Sequence, residues 1–367
     1  MFDKEIATIK HFNLYRERKI FPKSFRDFAS NDYLGLSNKK ILAKKAAALA
    51  ISQDSHSPKA SLLINGYSPL HQNLESMICK QNGFDDCIIL GSGFLANIAL
   101  FDALVRKNDK IYIDEKYHAS GIYAAKSLGE RVIYFKHNDA KDLSNKINTT
   151  KPKGRIIIAI EGIYSMDGDI AQEEFSKIAC NNNAILIVDE AHSNGSIGNN
   201  LLGYFDHYQI PIQSNFIKMG TLSKAYGSYG AYIAADKKII DFLCNRAKSI
   251  IYTTALSIFD TALALVNLEY IQQNKQELIK KIHLHKKIVH EVLGIYPLTQ
   301  IITIPFKNIS TMQQTYEILQ KQGFLVGAIR KPTVTQPILR IVLSIKNSPK
   351  DTEKLCKIIK KLKVIYA

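Results

Sequence analysis

The sequence predicts an α/β protein built on a mostly parallel sheet flanked by helices, with a smaller α+β unit at its C-terminal end. Two observations lead there. Between residues 87 and 235, short apolar runs alternate with helical stretches, and that order favours parallel strands covered on both faces. After about Ser257 the texture changes to long helical patterns followed by isolated strands. A chain of 367 residues has room for two or three structural units.

The elements follow in order. The first 25 residues are mixed and contain a short helix. Ser68-Pro69 opens a helix with Leu70, Leu74 and Ile78 on one face, and Gly83 stops it. Buried strands are expected at 87–90, 110–114, 131–135, 156–160, 185–189, 216–219 and 231–235. Helices fall between them, at 94–106, 120–128 and 172–182. Two long helical patterns then run through Tyr270 and Leu293, followed by a strand at 301–305, a helix at 311–322, strands at 325–329 and 339–345, and a last helix at 349–362. The organisation expected is an N-terminal segment, 1–36, a large unit, 37–260, and a C-terminal unit, 261–367, the texture changing between 255 and 275.

Composition excludes several classes. Hydrophobic residues make up 46% and charged residues 22%, an ordinary globular balance. No apolar run reaches the roughly 18–20 residues that span a bilayer, and Met1–Lys10 lacks the apolar centre of a secretory leader. A cytoplasmic protein is expected. The five cysteines form no C-x-x-C pair, so neither a disulfide framework nor a metal site is expected. The net charge of +16 suggests nucleic acid. However, the lysines are spread along the chain without a recognition motif, and a solvated basic surface accounts for them. A basic mouth for an acidic carrier protein or a nucleotide-bearing thioester is the weaker functional reading.

Three segments sit just beyond predicted strands: Gly91-Ser92-Gly93-Phe94, Asp189-Glu190-Ala191-His192, and Gly220 through Gly227, which contains Lys224. A lysine among small and hydroxyl residues at a strand end is placed to attack a carbonyl and form a Schiff base; taken alone, in a chain with forty lysines, a surface lysine is the default reading. Asp189 ends an apolar strand and needs a cationic partner if buried. The protonated pyridine nitrogen of pyridoxal phosphate is one; a helix cap or a metal ion is another. His192 is placed for the cofactor's phenolic oxygen, or is a structural histidine. Gly93 and Phe94 open a helix whose N–H groups suit a phosphate, and Thr221 and Ser223 add hydroxyls. His118 is placed to stack on the ring, or to start a helix. Strand–Asp–x–x–His followed about 35 residues later by strand–Thr–x–x–Lys is more specific than any member alone.

The chain resembles the α-oxoamine synthases, a branch of the fold-type I (aspartate aminotransferase-like) pyridoxal-phosphate enzymes, from about Phe28 to Lys361. The resemblance rests on Asn31-Asp32-Tyr33-Leu34-Gly35-Leu36, Gly66-Tyr67 with His71 and Glu75, Gly93-Phe94 with Ala96-Asn97, and His118-Ala119-Ser120. It continues in Glu161 through Asp169, Asp189 through His192, and Thr221 through Gly227.

The resemblance implies an acyltransferase in which Lys224 holds pyridoxal 5'-phosphate and acts as general base. It implies that Asp189 pairs with the pyridine nitrogen and that His118 stacks on the ring. Ser165 and His192 would serve the phenolic oxygen, and Gly93, Phe94 and Thr221 the phosphate. Two subunits would share each site, with Thr254 reaching the neighbour's phosphate. Ala328 through Val334 is most similar to the branch that joins L-alanine to a pimeloyl thioester, carried on coenzyme A or an acyl carrier protein. Sister branches use glycine or serine. Arg340 matches the arginine that grips the amino-acid carboxylate; an internal salt bridge is the other reading of an arginine on an apolar strand. Asn31, Thr333 and Arg16 (or Arg18) are the remaining substrate-facing candidates. Two departures stand out. The run from Ser57 to Asn65 lacks the usual glycines and basic residue, and the loop between Val334 and Leu339 is about two residues short. A non-catalytic cofactor-fold protein and a basic nucleic-acid binder are the readings from other classes.

Overall fold

A computed structural model describes residues 1–12 and 14–362. Its centre is a seven-stranded sheet. In spatial order the strands are Asp86–Leu90, Ala231–Ala235, Phe216–Thr221, Ile185–Asp189, Ile156–Glu161, Lys110–Asp114 and Val132–Phe135. Only Ala231–Ala235 runs against its neighbours; the other contacts are parallel.

Side-chain alternation builds a core on each face. Ile158, Ile160, Leu186 and Val188 point into one, and Ile157, Ala159, Ile187 and Ile217 into the other. Both faces are covered, so the strands read as continuous apolar runs, as parallel strands do. A third core, around Phe28, Val289, Leu339, Ile341 and Leu355, belongs to the C-terminal sheet of Ile301–Pro305, Ile338–Val342 and Gly327–Ile329.

The helix predicted from Ser68 spans Pro69–Asn82, with Ser68 and His71 forming a reciprocal cap and Gly83 closing it at φ 75°. Two expectations are corrected. The two helical patterns around Tyr270 and Leu293 are one helix, Ile258–Leu293, of 36 residues. The polar stretch at 272–275 interrupts the apolar stripe, but it contains neither glycine nor proline and so does not break the helix. The stripe changes because the helix changes partner. Ala262, Leu265 and Leu268 pack on the large core, and Val289 and Leu293 on the small one. The strand expected at 325–329 is also two pieces. Phe324–Leu325 pairs with Arg26–Asp27, and Gly327–Ile329 pairs with Ile338–Val342.

Behind the sheet's carboxyl edge, a buried pair fixes the loop after Asp189. Lys218 Nζ lies 3.4 Å from Glu190 Oε1 and also donates to the Leu202 carbonyl. Glu190 Oε2 accepts from Tyr204 N at 2.7 Å and from the Ser193 hydroxyl. The loop closes this tightly because Gly203, at φ 89°, has no Cβ; one there would lie 2.0 Å from Glu190 Oε2. Among the described residues no helix is long and apolar enough to cross a membrane.

Gly203→Ala is expected to cost about 1–3 kcal/mol from backbone strain alone, and more if Glu190 is displaced. A fall in the urea midpoint at unchanged slope checks this; an unchanged midpoint contradicts it.

Candidate active site

Parallel strands bring their carboxyl ends to one edge, where open α/β sheets gather ligand-binding groups. Asp114, Glu161, Asp189 and Thr221 are the last residues of four adjacent strands there. Lys224 follows Thr221 in a turn closed by Leu222 N to Gly230 O (2.9 Å) and Gly227 N to Lys224 O (3.0 Å). Thr221 Oγ1 meets Ser223 Oγ at 2.8 Å and donates to Gly230 O at 3.0 Å.

The Lys224 amine is 2.7 Å from His192 Nε2, and His192 Nδ1 is 2.6 Å from the Tyr33 hydroxyl. Burial, and then the positive charges of Lys224 and Arg340, push His192 well below its usual range. It is therefore neutral and carries one N–H. Burial lowers Lys224 to about 8, against the opposing pull of Asp189. An amine so placed is a nucleophile at mildly alkaline pH.

Asp189 is buried. Its Oδ2 accepts from Asn97 Nδ2 at 3.0 Å and its Oδ1 from Ala191 N at 3.0 Å. Asn97 sits one turn into the helix Gly93–Leu104, on the side that faces the sheet. Its Nδ2 also reaches Ser120 Oγ at 2.9 Å, and its Oδ1 accepts from Tyr117 OH at 2.8 Å. Ser120 Oγ in turn meets His118 Nδ1 at 2.7 Å. Asp189 and His118 are thus joined through two shared side chains. Burial lowers the His118 pKa, Asp189 raising it and Lys224 lowering it. The same helix begins at Gly93 and Phe94. Its first N–H groups have no partner within the helix, Ser92 capping only Leu95.

Arg340 comes from the C-terminal sheet and is buried. Its Nε donates to Ser165 O at 2.6 Å and its Nη1 to Asn31 Oδ1 at 3.0 Å; Nη2 has no partner. No carboxylate takes this guanidinium, so the salt-bridge reading of its strand position is not what the structure shows among the described residues. The Ser165 loop is pinned in turn: Tyr164 OH donates to Asp114 Oδ2 at 2.7 Å, and Thr299 Oγ1 to Gly168 O at 2.7 Å. His137 Nδ1 is 3.0 Å from Asp114 and its Nε2 3.3 Å from Asp169.

Lys224, His192, Asp189, His118, Thr221, Ser165, Asn31 and Arg340 therefore share one edge, with Gly93 and Phe94 opening the adjoining helix. Thr254, Thr333 and Arg16 are exposed and join none of these bonds. Thr254 bridges to Ser61 in the altered run, and Thr333 N bonds only Arg330 O, at 3.1 Å. Sequence reasoning gave no role to Tyr33, Asn97, Tyr117 or Glu161. Glu161 carries the same mark as Asp189, a carboxylate ending an apolar strand. Asn97 lies one helical turn beyond Gly93. Clefts around Arg106, Asp109 and Arg155 lie at the opposite edge, where Asp109 already pairs with Arg155 at 2.8 Å.

This edge, with its amine, its buried carboxylate and its free helix N–H groups, has the character of a covalent-cofactor site on a fold-type I scaffold. The chain belongs to the aminotransferase class I and II family, whose model matches residues 24–359. It is 49% identical over 357 residues, covering 97% of this chain and 95% of the relative, to an 8-amino-7-oxononanoate synthase of Helicobacter pylori. It shares 28% identity with the solved 8-amino-7-oxononanoate synthase of Francisella tularensis, at a TM-score of 0.76 over 94% of this chain and 100% of that one. The solved serine palmitoyltransferase of Sphingomonas wittichii matches in fold, with a TM-score of 0.89 and 20% identity, over 99% of this chain and 97% of that one. The chain is a pyridoxal-phosphate-dependent enzyme of acyltransferase type, grouped with the 8-amino-7-oxononanoate synthases. The residues present suit that cofactor, because a depressed lysine pKa, an amide-fixed aspartate and an unpaired guanidinium nitrogen converge on one edge.

One titration follows from the pinned loop. Burial would lower His137, but its hydrogen bonds to Asp114 and Asp169 prevail and raise it to about 9. A raised value stabilises the fold fully below the unfolded value of about 6.5 and ceases to do so as pH climbs through about 9. The difference in Tm between the wild type and His137→Ala should therefore narrow from roughly pH 7 to roughly pH 10; a widening difference would contradict the assignment.

Proposed function

We propose that the enzyme condenses L-alanine with a pimeloyl thioester, releasing carbon dioxide and the free thiol to give 8-amino-7-oxononanoate for biotin biosynthesis. The observation that carries this reading is the Lys224 amine held 2.7 Å from a neutral His192, with the Asp189 carboxylate at the end of the adjoining strand. When bound, pyridoxal phosphate supplies an electron sink for the charge developed at the amino-acid Cα.

The chain's own groups do the rest. Lys224 would hold the cofactor by its aldehyde and would be the base that takes and returns the proton at the amino-acid Cα. Asp189, oriented by Asn97, would hold the pyridine nitrogen and keep it protonated. His118 would hold the ring and stabilise the oxygen that gains charge as the thioester is attacked. Ser165 and His192 would serve the phenolic oxygen, and Gly93, Phe94 and Thr221 the phosphate. Arg340 has a free Nη2 to offer the alanine carboxylate and is steered by Asn31. Thr333 and Arg16 approach the acyl donor, carried on coenzyme A or an acyl carrier protein.

A homodimer with shared sites is part of this proposal, and Thr254 would reach the neighbour's phosphate. Its support is an exposed apolar face around the same segment: Ile64, Phe94, Tyr123 and Tyr252 are 79%, 45%, 57% and 80% exposed. The Phe94 and Tyr123 ring centroids lie 5.6 Å apart, and Ser249 Oγ donates to Leu95 O. The setting proposed is the cytoplasm, with no nucleic acid or membrane partner.

Borohydride should fix the cofactor to the wild type and not to Lys224→Ala, and that variant should lose at least about a hundredfold in thiol release. Normal turnover by Lys224→Ala would refute the reading, and so would turnover with glycine or serine in place of alanine. Arg340→Leu should raise the KM for alanine about tenfold or more while leaving cofactor binding intact. The rate at which apoprotein recombines with pyridoxal phosphate should rise with pH and level off above about 8, as the Lys224 amine loses its proton. A rate that falls over that range would point to another residue.

A further inference from the structure

Three neighbouring strands end in carboxylates, Asp114, Glu161 and Asp189, all buried. Two of them are well supplied with donors. Asp114 accepts from Tyr164 OH, Lys116 N and Asn138 N and meets His137. Asp189 accepts from Asn97 and Ala191. Glu161, between them, is 2% exposed and has a single bond, from Ser165 N to Oε2 at 3.2 Å. Its Oε1 is buried without a partner.

A second unpartnered atom sits just across Ser165. That residue's N–H goes to Glu161, and its carbonyl takes Arg340 Nε, whose Nη2 is also unpaired. Native proteins rarely leave buried polar atoms unmatched, and those that persist need a reason. Here one residue carries an open side chain on each side, at the edge where Lys224 and Asp189 converge.

We propose that Glu161 is a further ligand-contacting residue of this site, donating a hydrogen bond through Oε1 to an anionic oxygen of what binds there. This rests on the cofactor reading above and deepens it. The oxygen belongs either to the cofactor's phenolate or to the amino-acid carboxylate held by Arg340, and the two sources are separable by experiment. Donation requires the acid form, and the surroundings supply it. Burial, then the Asp189 charge, push Glu161 well above the usual carboxylate range; Lys224 opposes them, and Asp114 adds to them. The other groups that would feel its charge, Tyr33, Tyr117 and Tyr164, are buried phenols with raised pKa values. A second carboxylate beside Asp189 holds its proton because two like charges at adjacent strand ends repel.

The test compares Glu161→Ala, which removes the donor, with Glu161→Gln, whose amide restores one without a charge. If the partner is the cofactor's oxygen, Glu161→Ala shifts the pH titration of the enzyme's visible absorbance with no amino acid present, and Glu161→Gln recovers much of the shift. If it is the substrate carboxylate, that titration stays put, alanine binding weakens about tenfold or more, and Glu161→Gln recovers part of the loss. No effect on either measure overturns the proposal. So does a Glu161→Gln as impaired as Glu161→Ala, because the group would then act ionised. Infrared difference spectra of the apoprotein give a readout free of cofactor: a protonated-carboxyl stretch present in the wild type and lost in Glu161→Gln. Its absence from the wild type also overturns the proposal. An enzyme that takes up no cofactor on Lys224 would fail the wider reading instead, with the infrared result standing apart from it.

Discussion

Like charges buried side by side are the constraint on which this site is built. Parallel pairing aligns the ends of adjacent strands, so a carboxylate at each end becomes a row of carboxylates. Removing such groups from water is costly unless each finds a donor or a proton. The chain meets the constraint three ways. Asp114 is surrounded by donors from three loops, Asp189 is held by an amide and a backbone N–H, and Glu161 keeps its proton. A cationic ring nitrogen placed against Asp189 would relieve the remaining charge, and cofactor binding would then be coupled to local stability through that row.

The groups that answer the row also fix the geometry of the reacting edge. Asn97 serves Asp189 and Ser120 with one amide, so moving the helix Gly93–Leu104 would disturb both the aspartate and His118. Glu190 and Lys218 perform a similar service on the loop carrying His192. Support of this kind comes from packed elements rather than flexible loops, and it holds side chains to the tolerance catalysis needs.

Much of this was legible in the sequence, for physical reasons. Strand runs such as Ile185–Asp189 stand out because both faces are buried, and Lys224, Asp189 and His192 follow strands at spacings that chemistry explains. The helix at Pro69–Asn82 announced both its ends through Ser68 and Gly83. What escaped depends on partners distant in the chain. Tyr33 and His192 are 159 residues apart, and nothing local in Asn31-Asp32-Tyr33 says that its phenol meets an imidazole. The single helix Ile258–Leu293 read as two because periodicity records which surface a residue faces, and this helix faces two in turn. The break at Val326 between two short strands follows from a change of pairing partner, which composition does not encode.

That unbroken helix has a mechanical consequence. At 36 residues it is roughly 54 Å long and is anchored in one core at its start and in another at its finish. A pivot of 5° about the Ser257 end would carry the Gly294 end through about 5 Å. Any swing of the C-terminal sheet against the large one is thus levered, and Arg340, which rides on the moving part, is tied to the Ser165 carbonyl on the stationary part. That guanidinium contact and the Thr299–Gly168 bond on the same loop are where such a rotation would be felt.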